Sequence, residues 1–167
     1  MNTYVILHNI RSAHNVGSIF RTADGAGVSR IYLTGYTPAP IDRFGRVCKE
    51  IEKTSLGATA FVSWEHVEDV HELITQLHHS HISVIAIEQH EHADDFATMS
   101  NEGDRAYIFG NEIDGVDLDV CARADRIIYI PMHGKKESLN VSVTAGIILF
   151  TPHSRRNHLD MRSQRKD

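Results

Sequence analysis

Six short apolar runs with helical patterns between them constrain this chain more than any other feature. Tyr4–Leu7, Ile31–Leu33, Phe61–Trp64, Ser83–Ile87, Tyr107–Phe109 and Ile127–Ile130 each read as a strand. They are short, apolar and bounded by polar or turn residues, as strands buried inside a parallel sheet are. The intervening segments carry helix spacing. Asn15 is a candidate N-cap for a helix with Ile19, Phe20 and Ala23 on one face, ended by Gly25 and Gly27. Further helices are expected over Arg43–Glu52, over Val67–Leu77 from the Val67, Val70, Leu73, Ile74 and Leu77 spacing, near Leu118–Ala122, and from Asn140 to Phe150. Alternating strands and helices define an α/β fold, a mostly parallel sheet with helices on both faces.

The length of 167 residues suits one domain. We expect that domain to occupy residues 1–152, with 153–167 as a basic, flexible tail poor in apolar residues. No apolar run reaches the roughly 18–20 residues a membrane helix needs. The N-terminus lacks the pattern of a signal peptide, and Cys48 and Cys121 form no paired motif, so a reduced cytoplasmic protein is expected. The net charge of −5 is unevenly spread. Residues 1–60 hold seven Lys/Arg against four Asp/Glu and residues 126–167 hold eight against three, whereas residues 61–125 hold two against fifteen. Basic ends of this kind suit a polyanion, and equally suit a plain solvated surface.

Polar loops follow three strands: Thr34-Gly35, Gly110–Gly115 and Met132–Ser138. In a parallel sheet such loops share one edge, where ligands of open α/β folds bind. None is a phosphate-binding loop. The glycines at Gly25 and Gly27 fall at a helix end and lack the dinucleotide register, which argues against a nicotinamide enzyme. The loops suit an adenosine-like ligand gripped by main-chain groups. The histidine clusters at His78–His81 and His90–His92 lack an evident third ligand and sit in the acidic middle, so no metal is expected.

Asn15–Val28 (NVGSIFRTADGAGV) resembles the first signature of the TrmH branch of the SPOUT superfamily of RNA methyltransferases. Phe109–Val116 (FGNEIDGV) resembles the second, Ile130–Ile147 (IPMHGKKESLNVSVTAGI) the third, and Lys53–Ala58 (KTSLGA) an intermediate segment. Their order is preserved across nearly the whole chain. The resemblance implies a deep C-terminal trefoil knot, a homodimer joined through the knotted regions, and S-adenosylmethionine held within the knot. It implies methylation of a ribose 2′-hydroxyl in tRNA or rRNA.

Position by position, the resemblance puts the catalytic group at Arg21, Asn15, Glu112, Ser138 and Asn140. It puts cofactor contacts at Ile87, Gly110, Ile130, Met132, Ser138 and Leu139, with Leu33 and Gly35 beside them. Read without it, Arg21 is a helix-surface arginine in a salt bridge, Glu112 a solvated loop acid, and Ser138 and Asn140 ordinary cap residues. The alternative function is a noncatalytic RNA-binding or assembly protein on the same fold. Relatives often carry an added RNA-binding domain or a longer last helix, whereas here Pro152 follows the helix early.

Overall fold

A computed structural model describes residues 1–99 and 103–151. Pro152 and the tail at 153–167 lie outside the described residues. Among the described residues, seven strands form one sheet: β1 (Thr3–His8), β2 (Arg30–Thr34), β3 (Trp64–Val67), β4 (Ser83–Ile87), β5 (Asp94–Asp95), β6 (Arg105–Phe109) and β7 (Arg126–Tyr129). Their order is β3-β2-β1-β6-β4-β7-β5, and every pairing is parallel. β6 is inserted between β1 and β4, and β7 between β4 and β5, so each late strand enters beside strands already laid down.

The described residues form five α-helices: α1 (Ala13–Ala26), α2 (Lys49–Ser55), α3 (Val70–His79), α4 (Leu118–Arg123) and α5 (Val141–Phe150). Alternate residues of each strand point to opposite faces and build two cores. Val5, Leu7, Ile85, Ile87, Tyr107 and Phe109 pack with Ile19, Phe20, Ile51, Ala145 and Ile148, which puts α1, α2 and α5 on one face. Ile6, Val84, Ala86, Ala106 and Ile108 pack with Leu73, Ile74, Leu77 and Val120, which puts α3 and α4 on the other.

Several boundaries differ from those the sequence suggests. Ser12, not Asn15, caps α1: its side chain accepts from the Asn15 amide, so Asn15 lies in the first helical turn. Gly25 is inside α1, and Gly27 ends it in the left-handed region at φ 71°. No helix runs through Arg43. The Asp42 carboxylate takes the Phe44 and Arg46 amides (2.8 and 2.9 Å) and closes a turn, with Ile41 bridged to Val47, before α2 begins.

Phe61 is not in a strand. The Ala60 and Phe61 amides bond back to the Gly57 and Ala58 carbonyls, and pairing to β2 starts at Trp64 opposite Ile31. Val67 ends β3, and Asp69 caps α3 by accepting from His71 and Glu72. β7 stops at Tyr129, one residue before Ile130, with Pro131 just beyond. The two-residue β5 has no signal in the sequence pattern.

Candidate active site

A cavity opens where β4, β6 and β7 end, lined by residues of the three loops that follow them, with Val141 and Thr144 of α5 beside it. Glycine shapes the middle loop. A Cβ at Gly110 would lie 2.2 Å from the Gly115 carbonyl oxygen, and one at Gly115 would lie 2.0 Å from Glu88 Oε2. Gly115 also holds φ 73°, which side chains other than glycine adopt at a cost. Asn111 and Gly115 exchange backbone hydrogen bonds (2.9 and 3.0 Å), so the loop is a tight, closed turn.

Glu112 leaves that turn and reaches α1. Its Oε2 accepts from the Arg11 amide (2.9 Å), and its Oε1 from the Ser12 amide (3.0 Å) and Asn15 Nδ2 (2.8 Å). Burial pushes the Glu112 carboxyl up, but the hydrogen bonds from Arg11, Asn15 and Ser12 together outweigh it and hold the group below its ordinary range. Asn15 Oδ1 in turn accepts from Asn140 Nδ2 (3.2 Å). Asn140 caps α5, its Oδ1 accepting from the Ser142 amide (2.9 Å). One polar chain, Glu112–Asn15–Asn140, therefore ties the loop after β6 to the starts of α1 and α5.

Of the residues singled out from the sequence, Ile87, Gly110, Glu112, Ile130, Met132, Ser138 and Leu139 line the cavity. Asn15 and Asn140 join its edge through Glu112. Leu33 and Gly35 do not line it. They belong to the end of β2, which β1 separates from β6, and Leu33 is fully buried in the core while Gly35 packs against Asn9. The Thr34-Gly35 loop accordingly gives no residue to the cavity lining, although the Tyr36 hydroxyl just beyond it bonds the side-chain amide of Asn111. Arg21 is exposed on α1, about 9 Å along the axis from Asn15 and about two-thirds of a turn out of phase. It does not line the cavity and makes no ion pair among the described residues.

The residues that sequence reasoning missed are Glu88 and Gln89. Glu88 Oε2 accepts from the Val116 amide (2.7 Å), and Gln89 Nε2 donates to the Ile130 carbonyl (2.8 Å). The pair thus ties the end of β4 to both neighbouring loops. Their signal was positional: they directly follow the buried run Ser83–Ile87.

The cavity fits an adenosine-bearing ligand on two counts. Its walls combine apolar side chains (Ile87, Phe109, Leu139, Val141) with loop main chain. Among the described residues, the main chain of Met132, Ser138 and Leu139, which line the cavity, forms no backbone–backbone hydrogen bond. His78 pairs with Asp125 (3.1 Å), and no group of three His, Cys, Asp or Glu among the described residues is arranged to hold a metal.

Parallel strands whose end loops converge on a cavity of mixed polar and apolar lining, with helices on both faces, define an α/β ligand-binding domain of the open-sheet class. Residues 2–150 match the SpoU rRNA Methylase family, to which the chain belongs. It is 34% identical over 155 residues to the tRNA (guanosine(18)-2′-O)-methyltransferase of Thermus thermophilus, covering 91% of this chain and 74% of the relative. The Aquifex aeolicus enzyme of the same name is 29% identical over 160 residues, covering 96% and 72%. The AdoMet-bound rRNA methyltransferase of Sinorhizobium meliloti superposes with a TM-score of 0.79 at 28% identity, over 89% of this chain. This chain spans about half of that one, 54%. The TrmH/SpoU tRNA modifying enzyme of A. aeolicus gives 0.78 at 27% identity, over 89% of this chain and 72% of that one.

Proposed function

We propose that this protein transfers a methyl group from S-adenosylmethionine to a ribose 2′-hydroxyl of tRNA or rRNA. The observation that carries the reading is the Glu112–Asn15–Asn140 chain at the cavity edge, which joins residues of all three signature segments. The names of the Thermus and Aquifex relatives and the cofactor in the Sinorhizobium structure support the same reaction.

The bound cofactor supplies an electrophilic methyl on a sulfonium. Ile87, Gly110, Ile130, Met132, Ser138 and Leu139 would hold it, chiefly through main chain, beside the apolar side chains of Phe109 and Val141. A ribose hydroxyl is a weak nucleophile at neutral pH, so its orientation and the fate of its proton decide the rate. Arg21 carries a guanidinium, which has five N–H donors and no acceptor, so it is not the group that takes that proton. It clamps the neighbouring phosphate, and that phosphate or a water accepts the proton. Glu112 is ionised but its oxygens already accept three hydrogen bonds, so it is a positioning residue that orders the loop and Asn15. Asn140 braces the start of α5, and Ser138 meets the ligand.

We assign the catalytic domain to residues 1–152 and a phosphate-contacting role to the basic segment 153–167. The insertion of β6 and β7 between earlier strands, with α5 returning against α1, supports a C-terminal trefoil knot, which most folds avoid. A homodimer is supported by α5, whose sequence VSVTAGIILF is apolar nearly all round yet leaves Val143 and Phe150 51% and 59% exposed. No described helix is long and apolar enough to cross a membrane, and tRNA and rRNA as substrates imply the cytoplasm.

The test is methyl transfer from labelled cofactor into total tRNA and rRNA. Arg21→Ala is expected to abolish transfer while leaving the melting temperature unchanged, because the side chain is exposed and unpaired among the described residues. Undiminished transfer by this variant would refute the role given to Arg21, and no transfer by the wild type would refute the reaction.

A further inference from the structure

The loop between β2 and α2 carries a second feature that the cavity does not use. Phe44 stands at its tip, 67% exposed, with the guanidinium carbons of Arg43 and Arg46 at 4.8 and 5.1 Å from its ring centroid. Single exposed apolar residues are ordinary. Here Ile41 and Val47 are also exposed (48% and 54%), so three apolar side chains and two arginines share one seven-residue turn.

The turn is built rather than loose. Besides the two amides it accepts, Asp42 takes Arg46 Nε at 2.7 Å, and the Cys48 amide donates to the Pro40 carbonyl at 2.9 Å. The bonds from Arg46 and Phe44 lower the Asp42 carboxyl, the Arg46 backbone bond most of all, so the staple is intact at neutral pH. The root of the loop is equally fixed. Thr37 Oγ1 donates to the Leu7 carbonyl at 2.8 Å, and the Tyr36 hydroxyl bonds the side-chain amide of Asn111, a cavity residue. The loop is therefore ordered in advance and anchored to the rim of the cavity, which removes much of the entropy cost of binding through it.

We propose that the Arg43–Phe44–Arg46 tip is an RNA-contact site, in which an unpaired base stacks on the Phe44 platform and an adjoining phosphate is held by Arg43. It rests on the RNA substrate proposed above. Single-stranded RNA presents a flat π face and an anion within one nucleotide, which is what an aromatic ring flanked by guanidinium groups complements. Arg43 has no carboxylate partner among the described residues, whereas Arg46 is held by Asp42, so Arg43 is the group left to meet a phosphate. A second copy of this chain fits less well. Burying the ring against apolar protein would strand two guanidinium groups at the contact, with one carboxylate between them.

The experiment compares wild type with Phe44→Ala, Phe44→Trp and Arg43→Gln. Binding is read by anisotropy of a short fluorescein-labelled single-stranded RNA and of its duplex, across a salt series. Methyl transfer to total tRNA is read as KM and kcat, and mass by sedimentation. Phe44→Ala is expected to weaken single-strand binding about tenfold and raise KM with kcat held, and Phe44→Trp to restore both. Arg43→Gln is expected to reduce the salt slope by about 1. Wild-type transfer with Phe44→Ala indistinguishable from it would overturn this site and leave the reaction standing. Loss of binding that tracks a fall in sedimented mass would also overturn it, making the loop a contact between copies. A wild type that neither binds RNA nor transfers methyl would overturn both.

Discussion

Glu112→Gln isolates the contact on which the site depends. The wild-type carboxylate accepts from three donors: the Arg11 and Ser12 amides and Asn15 Nδ2. A glutamine offers one acceptor oxygen and one NH2, so whichever way it turns, an N–H faces an N–H. A hydrogen bond to a charged acceptor contributes about 1.5–3 kcal/mol. Glu112 is only partly buried, so solvent screening reduces that figure and the expected loss is about 1–2 kcal/mol. For a domain of this size that is a fall in Tm of about 2–8 °C.

The pH dependence gives an independent check. The ordinary value for this carboxyl is 4.5, and the folded protein holds it lower. The folded state therefore binds the proton more weakly than the unfolded chain. The contribution is fully present above the ordinary value, and it is lost as pH falls through that value and then through the depressed folded one. Calorimetric Tm of wild type and Glu112→Gln should differ at pH 7 and converge toward pH 3. A double-mutant cycle with Asn15→Ala should show coupling, since the two side chains touch at 2.8 Å. Equal Tm at pH 7, or a difference that persists unchanged in acid, would refute the assignment of Glu112 as the anchor of α1.

Three further outcomes follow from the same structure. Gly110→Ala puts a Cβ 2.2 Å from the Gly115 carbonyl oxygen, so calorimetry should find cofactor binding lost while circular dichroism shows a folded protein. Asn140→Ala removes the cap of α5 and the bond to Asn15, which should cost about 1 kcal/mol of stability by denaturant titration and lower methyl transfer by more than that loss explains. Cys121 is buried, and burial, helped by the nearby Glu88, Asp117 and Asp119 charges, pushes its thiol up to about 11. Iodoacetamide at pH 8 should therefore label Cys48 and spare Cys121, as read by peptide mass spectrometry.

The sequence by itself determined the layered α/β architecture. Runs such as Ser83–Ile87 and Tyr107–Phe109 are too apolar for one wet face, so they required helices on both sides, and the helix patterns between them supplied these. It also indicated the cavity loops, because residues after buried parallel strands share one edge. Where a local side chain competes with the backbone, the pattern misled. Asp42 turned an apparent helix at Arg43 into a stapled loop, and Ser12 took the cap that Asn15 was expected to provide.

Only the tertiary structure decided which loops meet. Strand order is set by packing between elements far apart in the chain, and it put β1 between β2 and β6, parting Leu33 and Gly35 from the cavity. The same long-range packing brought Glu112 to Asn15 and Asn15 to Asn140, contacts spanning 97 and 125 residues. No periodicity encodes them, because each is a polar pair whose partners are chosen by the geometry of the whole sheet.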